Sequence, residues 1–359
     1  MDNQNFKEKF VEDVRRELFY QKGRRDVEIT IEQVDKLNES YEAMAVHLEG
    51  SKMGVNLHLE DYIQAYEDGV AYQDVVERAV TDIEKHIDSI PEFDITFISD
   101  YKLAKERLSI EVVSAERNAD VLETVPHKLI EDMAIIYKIN VELGIEDGGT
   151  VLVNDSLLKM YGISQDQLHE DAVKNASIIK PFLIRGMSKI LQDMMSEEEA
   201  AFFGVEDAQD EAMYVATVTD RVKGAGVLAY DKFMDYAAEK LGGDFFVLPS
   251  SVHEILLVKD DGKTSYKELK EMVEQVNATE VKPEEKLTDS VYHYDSKNRI
   301  FELGDKFEAR RNQELAAAKN EKGSVLNELR EKQAAAAEKS VIPKDVERAV
   351  SKTQGGVAI

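Results

Sequence analysis

The run Pro249-Ser250-Ser251-Val252-His253-Glu254 brings hydroxyl, imidazole and carboxylate side chains together, the types that serve nucleophilic catalysis. A hydrolase reading makes Ser250 or Ser251 the nucleophile, His253 its base and Glu254 the orienting acid. The spacing works against it. On one strand, Ser251 and His253 share a face with Cβ atoms about 6.5–7 Å apart. A serine–base hydrogen bond spans about 2.6–3.2 Å, so a turn would have to close the gap. Glu254 points to the opposite face, and no G-x-S-x-G elbow holds either serine. The run therefore reads as a polar hairpin turn, with Ser250, Ser251, His253 and Glu254 as the candidate catalytic set.

Metal and nucleotide chemistry find less support. The histidines stand at 47, 58, 86, 127, 169, 253 and 293, without H-E-x-x-H or a comparable ligand spacing. His253 and His293 would have to meet across a sheet. Gly224-Ala225-Gly226 lacks the third glycine of a dinucleotide loop, and no Walker lysine follows it. Paired acids such as Glu131-Asp132 are too frequent here to mark acid–base catalysis. No cofactor and no metal is expected.

The elements that must position these residues are legible from periodicity. Phe6, Phe10, Val14 and Leu18 predict an amphipathic helix ending near Gly23. Strand-like runs follow at 27–37, 41–48 and 55–59, and then two helices. A strand over 133–143 pairs with 150–153 around Asp147-Gly148-Gly149. Asn154 or Asp155 caps a short helix closed by Gly162, and Ser164 with Gln167 caps the next. Runs at 213–218 and 226–229 predict a hairpin. Phe233, Met234, Ala237 and Leu241 give a helix stopped by Gly242-Gly243, before strands at 245–248 and 255–258. A capped helix from Ser265 and a strand pair at 291–294 and 299–303 close the folded part.

Hairpins each followed by one or two helices recur, which predicts an α+β fold with helices packed on antiparallel sheets and a flexible C-terminal tail. The expected division is an N-terminal α+β region over 1–117, a main α+β domain over 118–303 and a partly helical or disordered tail over 304–359. Within the main domain, the methionine-rich and acidic segment 181–211 reads as an insertion. In the tail, Val325, Leu326 and Leu329 share one helix face and form a possible docking peptide.

The chain has no cysteine, which removes disulfides, thiolate metal sites and cysteine nucleophiles. Its net charge is −27, and the acidity lies almost wholly in the first 300 residues. Such a surface repels phosphate backbones and disfavours direct nucleic-acid binding. No apolar run is long enough for a membrane span, and the N-terminus lacks a secretory pattern. A cytoplasmic location is expected.

Four stretches, NADVLETVPHKLIEDMAIIYKI (118–139), MYVATVTDRVKGAGVLAY (213–230), FFVLPSSVHEILLV (245–258) and LKEMVEQVNATEVKPEEKLTDSVYHYD (269–295), resemble an uncharacterised family of Gram-positive gut bacteria. Its members are often encoded near integrative and conjugative elements. The resemblance implies a setting and carries no catalytic residues. Together these readings predict a non-catalytic cytosolic accessory or protein-interaction protein linked to mobile elements, its protein partner unknown. The alternatives are an acidic decoy that imitates nucleic acid and a hydrolase using the Ser250–Glu254 turn.

Overall fold

Helix α1 (Asn3–Tyr20) opens the computed structural model, with Phe6, Phe10, Val14 and Leu18 all buried as their spacing predicts. The structure describes residues 3–51, 54–88, 96–141, 149–196, 211–249 and 251–339. Strands β1 (Val27–Lys36) and β2 (Glu39–Leu48) form a hairpin that runs from Val27↔Leu48 to Lys36↔Glu39. Its turn needs a left-handed residue, and Asn38 supplies one at φ 66°. Strand β3 (Gly54–His58) completes a three-stranded sheet in the order β1-β2-β3. Helices α2 (Leu59–Glu67) and α3 (Tyr72–Ile87) follow, and Ile63, Val76, Val80 and Ile83 share a core with α1 and with Ile29, Met44 and Val46.

A second sheet begins after the short helix α4 (Tyr101–Lys105). It holds β4 (Leu108–Ser114), β5 (His127–Ile130) and β6 (Met133–Asn140) in the order β4-β6-β5, with helix α5 (Ala119–Leu122) between β4 and β5 in sequence. Strand β7 (Thr150–Leu152) also pairs with β6, as expected, while the hairpin tip at 142–148 lies outside the described residues. Strand β4 has no counterpart in the sequence reading. Leu108 to Val112 alternate apolar and polar side chains, and in the fold every residue of the strand is buried, Ser109 and Glu111 included. Asn154 caps α6 (Asp155–Tyr161) by accepting the Leu157 N–H, and Gly162 closes it at φ 66°. Ser164 caps α7 (Gln165–Ile179) in the same way through the Gln167 N–H.

The third sheet has six strands in the order β13-β12-β10-β11-β9-β8. They are β8 (Phe182–Gly186), β9 (Met213–Val218), β10 (Phe245–Leu248), β11 (Ile255–Lys259), β12 (Tyr292–Asp295) and β13 (Ile300–Leu303). The segment 181–211 thus supplies β8 to the sheet edge and then helix α8 (Met187–Met194), and residues 197–210 lie outside the described set.

The expected strand at 226–229 is a correction. Gly224–Ala229 is a 3-10 turn, so β9 pairs with β8 and β11 and has no hairpin partner there. The physical reason is hydrogen bonding: the Gly224 and Ala225 N–H groups bond the carbonyls of His253 and Val252, which leaves no ladder for a strand.

Helix α9 (Phe233–Leu241) buries Phe233, Ala237 and Leu241 in one core with Phe245, Val247, Ile255 and Leu257. Gly242, at φ 84°, ends it. The Ser265–Glu268 capping box starts α10 (Tyr266–Thr279), which buries Leu269 and Val273 and leaves Met272 exposed. Met1–Gly304 forms one compact unit and Asp305–Ile359 a second. Within the first, β4 and β6 pair across the boundary expected near Asn118. Asn118 also accepts the Asn38 N–H at 2.6 Å, tying the first hairpin turn to this region. Helix α11 runs over Gly304–Lys339. Among the described residues, no helix is long and apolar enough to cross a membrane.

Candidate functional site

Alternation on β4 sends Leu108, Ile110 and Val112 into the main core and turns Ser109, Glu111 and Val113 to the other face. That second face starts apolar, where Val113 packs with Ala134, Ile136, Leu122 and Val125. It becomes polar toward Glu111, Ser109, Lys138 and Asn140, and there it opens into a cleft of about 720 Å³. The segment Asp220–Tyr230 and the end of α7 form the other walls, through Lys223, Gly226, Tyr230, Ala176 and Lys180.

Glu111 forms the floor. It is only 2% exposed, and its two oxygens meet two lysines. Lys138 donates to Oε2, and Lys223 Nζ stands 3.1 Å from Oε1. The Lys223 contact is an ion pair without the alignment of a hydrogen bond. Burial pushes the Glu111 carboxyl up, but the two ammonium groups outweigh burial and hold it below the usual carboxylate range. Glu111 is therefore ionised at neutral pH, and the floor carries one excess positive charge.

Lys223 occupies the left-handed region at φ 57°, which costs a side chain of this type about 1–2 kcal/mol. The turn between β10 and β11 holds it there. Lys223 N–H donates to His253 Nδ1 at 3.4 Å, Gly224 N–H to the His253 carbonyl at 3.0 Å and Ala225 N–H to the Val252 carbonyl at 3.1 Å. The Thr217 hydroxyl donates to the same His253 carbonyl at 2.8 Å. Gly224 is required by this close approach, because a Cβ there would overlap the Thr217 hydroxyl and the His253 carbonyl.

The wall groups are already engaged with the protein. Lys180 pairs with Asp220 at 2.7 Å. The Tyr230 hydroxyl donates to the carbonyls of Lys180 and Ala176, and burial pushes its pKa up to about 12, so it stays protonated. Ser109 Oγ donates to Asn140 Oδ1 at 3.2 Å, and Asn140 Nδ2 donates to the Arg107 carbonyl at 3.1 Å.

The residues singled out in the sequence fall elsewhere. Ser250 lies outside the described residues. Ser251 Oγ accepts the His253 N–H at 3.1 Å, a local turn bond. The His253 ring sits between the Lys223 N–H and Glu285, with Nε2 3.7 Å from Oε1. Glu254 faces a separate pocket of about 140 Å³, shared with Arg185, Arg221 and Met187. His293 is buried on β12 opposite Phe246, and its Nε2 meets Asp260 at 3.1 Å. No cluster of His, Asp or Glu among the described residues fits a metal ion. In α11, Leu329 is exposed, while the side chains of Val325 and Leu326 lie outside the described residues.

Sequence reasoning missed Glu111, Lys138, Lys180 and Lys223. One signal was present for the first two: each is a single charge inside an otherwise uncharged strand, LSIEVVS and MAIIYKIN. A charge in such a run must be paired.

The profile of a family of unknown function, DUF5688, matches residues 3–296. The chain belongs to this family. The match spans every residue that lines the cleft and ends before α11. No curated protein and no solved structure matches the chain.

Proposed function

We propose that this member of DUF5688 is a non-catalytic binding protein that seats a small anion in the cleft above Glu111. One observation carries the reading: on the floor a single buried carboxylate, Glu111, faces the ammonium groups of both Lys138 and Lys223, an excess of positive charge in a chain whose net charge is −27. Two ammonium groups share one carboxylate there, and an anion from solution supplies the second counter-charge through charge-assisted hydrogen bonds. A cleft of this size and mixed lining is also in the usual range for a small ligand. The turn at 251–254 supports a binder over a hydrolase, because its hydroxyl and imidazole are engaged by backbone N–H groups. The accessory role in a Gram-positive cytoplasm near mobile elements, implied by the resemblance, belongs to the same reading, since sensing a small anion needs no chemistry at the site.

Thermal melting tests it. Millimolar inorganic phosphate, citrate, benzoate and octanoate are added in turn to the full chain. A site-bound anion at a hundredfold excess over its dissociation constant stabilises the fold by about 2.7 kcal/mol. At least one anion is expected to raise the melting temperature in the wild type and to lose that effect in Lys223→Met. No rise with any of the four would end this reading.

A further inference from the structure

We infer that the anion is a monocarboxylate with an apolar body and not a phosphate, an inference that rests on the anion-binding reading above. Charge gives the first reason. The floor has one positive charge to satisfy, and every further negative charge on the ligand meets a protein of net charge −27.

Backbone geometry gives the second. A glycine-rich turn cradles phosphate by aiming successive free N–H groups at its oxygens. Lys223-Gly224-Ala225-Gly226 has the composition for this, yet its N–H groups are spent. Lys223, Gly224 and Ala225 donate to the 251–254 turn, and Gly226 donates to the Lys223 carbonyl. What remains for an anion is the pair of ammonium groups. Lys223, poorly aligned on Glu111 Oε1, can turn one N–H to a ligand oxygen while keeping its ion pair.

The walls give the third. The hydroxyls and amide of Tyr230, Ser109 and Asn140 donate inward to protein acceptors. A sugar-like or polyhydroxylated ligand would find few partners there. Val222, which is exposed, and the edges of the buried Val141 and Ile110 offer apolar contact instead. The cleft, at about 720 Å³, has room for more than a headgroup, so the body of the ligand is buried with it.

Isothermal titration calorimetry on the full chain tests this with octanoate, octanol and inorganic phosphate as probes. Octanoate is expected to bind saturably, octanol at least about tenfold more weakly, and phosphate without measurable heat. Lys223→Met should weaken octanoate by about tenfold, the scale of a lost charged hydrogen bond. Val222→Trp, a rim substitution that fills the mouth, should abolish binding, with circular dichroism confirming that both variants fold. Octanol binding as tightly as octanoate would remove the carboxylate from the argument and overturn the inference. Phosphate binding in place of octanoate would overturn the ligand class while leaving an anion site standing. Silence from octanoate and phosphate alike would bring down both. Unchanged octanoate binding in both variants would put the site elsewhere and overturn the inference as well.

Discussion

At the scale of single residues, Glu111 decides the character of the cleft. A lone buried carboxylate would be protonated, and here Lys138 and Lys223 keep it ionised. Its pKa is depressed in the folded state. The stabilisation it contributes is therefore complete above the ordinary carboxylate value and is lost as pH falls through its folded value. Glu111→Gln should cost about 3–5 kcal/mol at neutral pH, because it leaves two partly buried ammonium groups without their anion. Denaturant titrations at a series of pH values check the sign. The gap between wild type and variant should shrink as the pH is lowered below about 4. A gap that stays constant down to acid would mean that Glu111 is not ionised in the fold.

At the scale of elements, the 3-10 turn at Gly224–Ala229 is where local and tertiary preferences diverge. The residues Gly-Val-Leu-Ala continue naturally as a strand, but the 251–254 turn takes their neighbouring N–H groups and folds the chain back over β4. Ser251 and His253 take part in this clamp: Ser251 Oγ accepts the His253 N–H, and His253 Nδ1 accepts the Lys223 N–H. Gly224→Ala should separate the clamp from the Thr217 hydroxyl and cost about 1–3 kcal/mol by overpacking. It should also reduce the anion-dependent rise in melting temperature, whereas an Ala substitution at Gly50, with no atom within 4 Å of its Cβ, should leave that rise intact. Equal ligand response in the two variants would show that the clamp does not position Lys223.

For the whole molecule, the charge of −27 is a destabilising field as well as a solubilising one. Surface pairs such as Arg24–Asp88 and Lys22–Glu84 offset little of it, because exposed ion pairs contribute about 0–1 kcal/mol. Raising the salt from about 0.01 M to about 0.15 M shortens the screening length from about 30 Å to about 8 Å. The melting temperature should rise over that range. A fall would mean that attractive pairs outweigh the repulsion.

The sequence by itself determined the α+β class, the amphipathic faces of α1, α3 and α9, the caps at Asn154, Ser164 and Ser265, and the hairpins β1–β2, β6–β7 and β10–β11. These depend on nearest neighbours along the chain: a helical or alternating period, a capping side chain, a residue that tolerates positive φ. The tertiary structure decided the rest. Strand β4 alternates over Leu108 to Val112, yet both its faces are buried, and its one charge could be understood only beside Lys138 from β6 and Lys223 from a turn more than a hundred residues away. The same contacts made a 3-10 turn of Gly224–Ala229 and joined the 251–254 turn to the backbone of Lys223, Gly224 and Ala225. A backbone N–H takes the acceptor that folding brings to it, and a lysine pairs with the carboxylate that folding buries beneath it, so neither outcome is written in the local pattern.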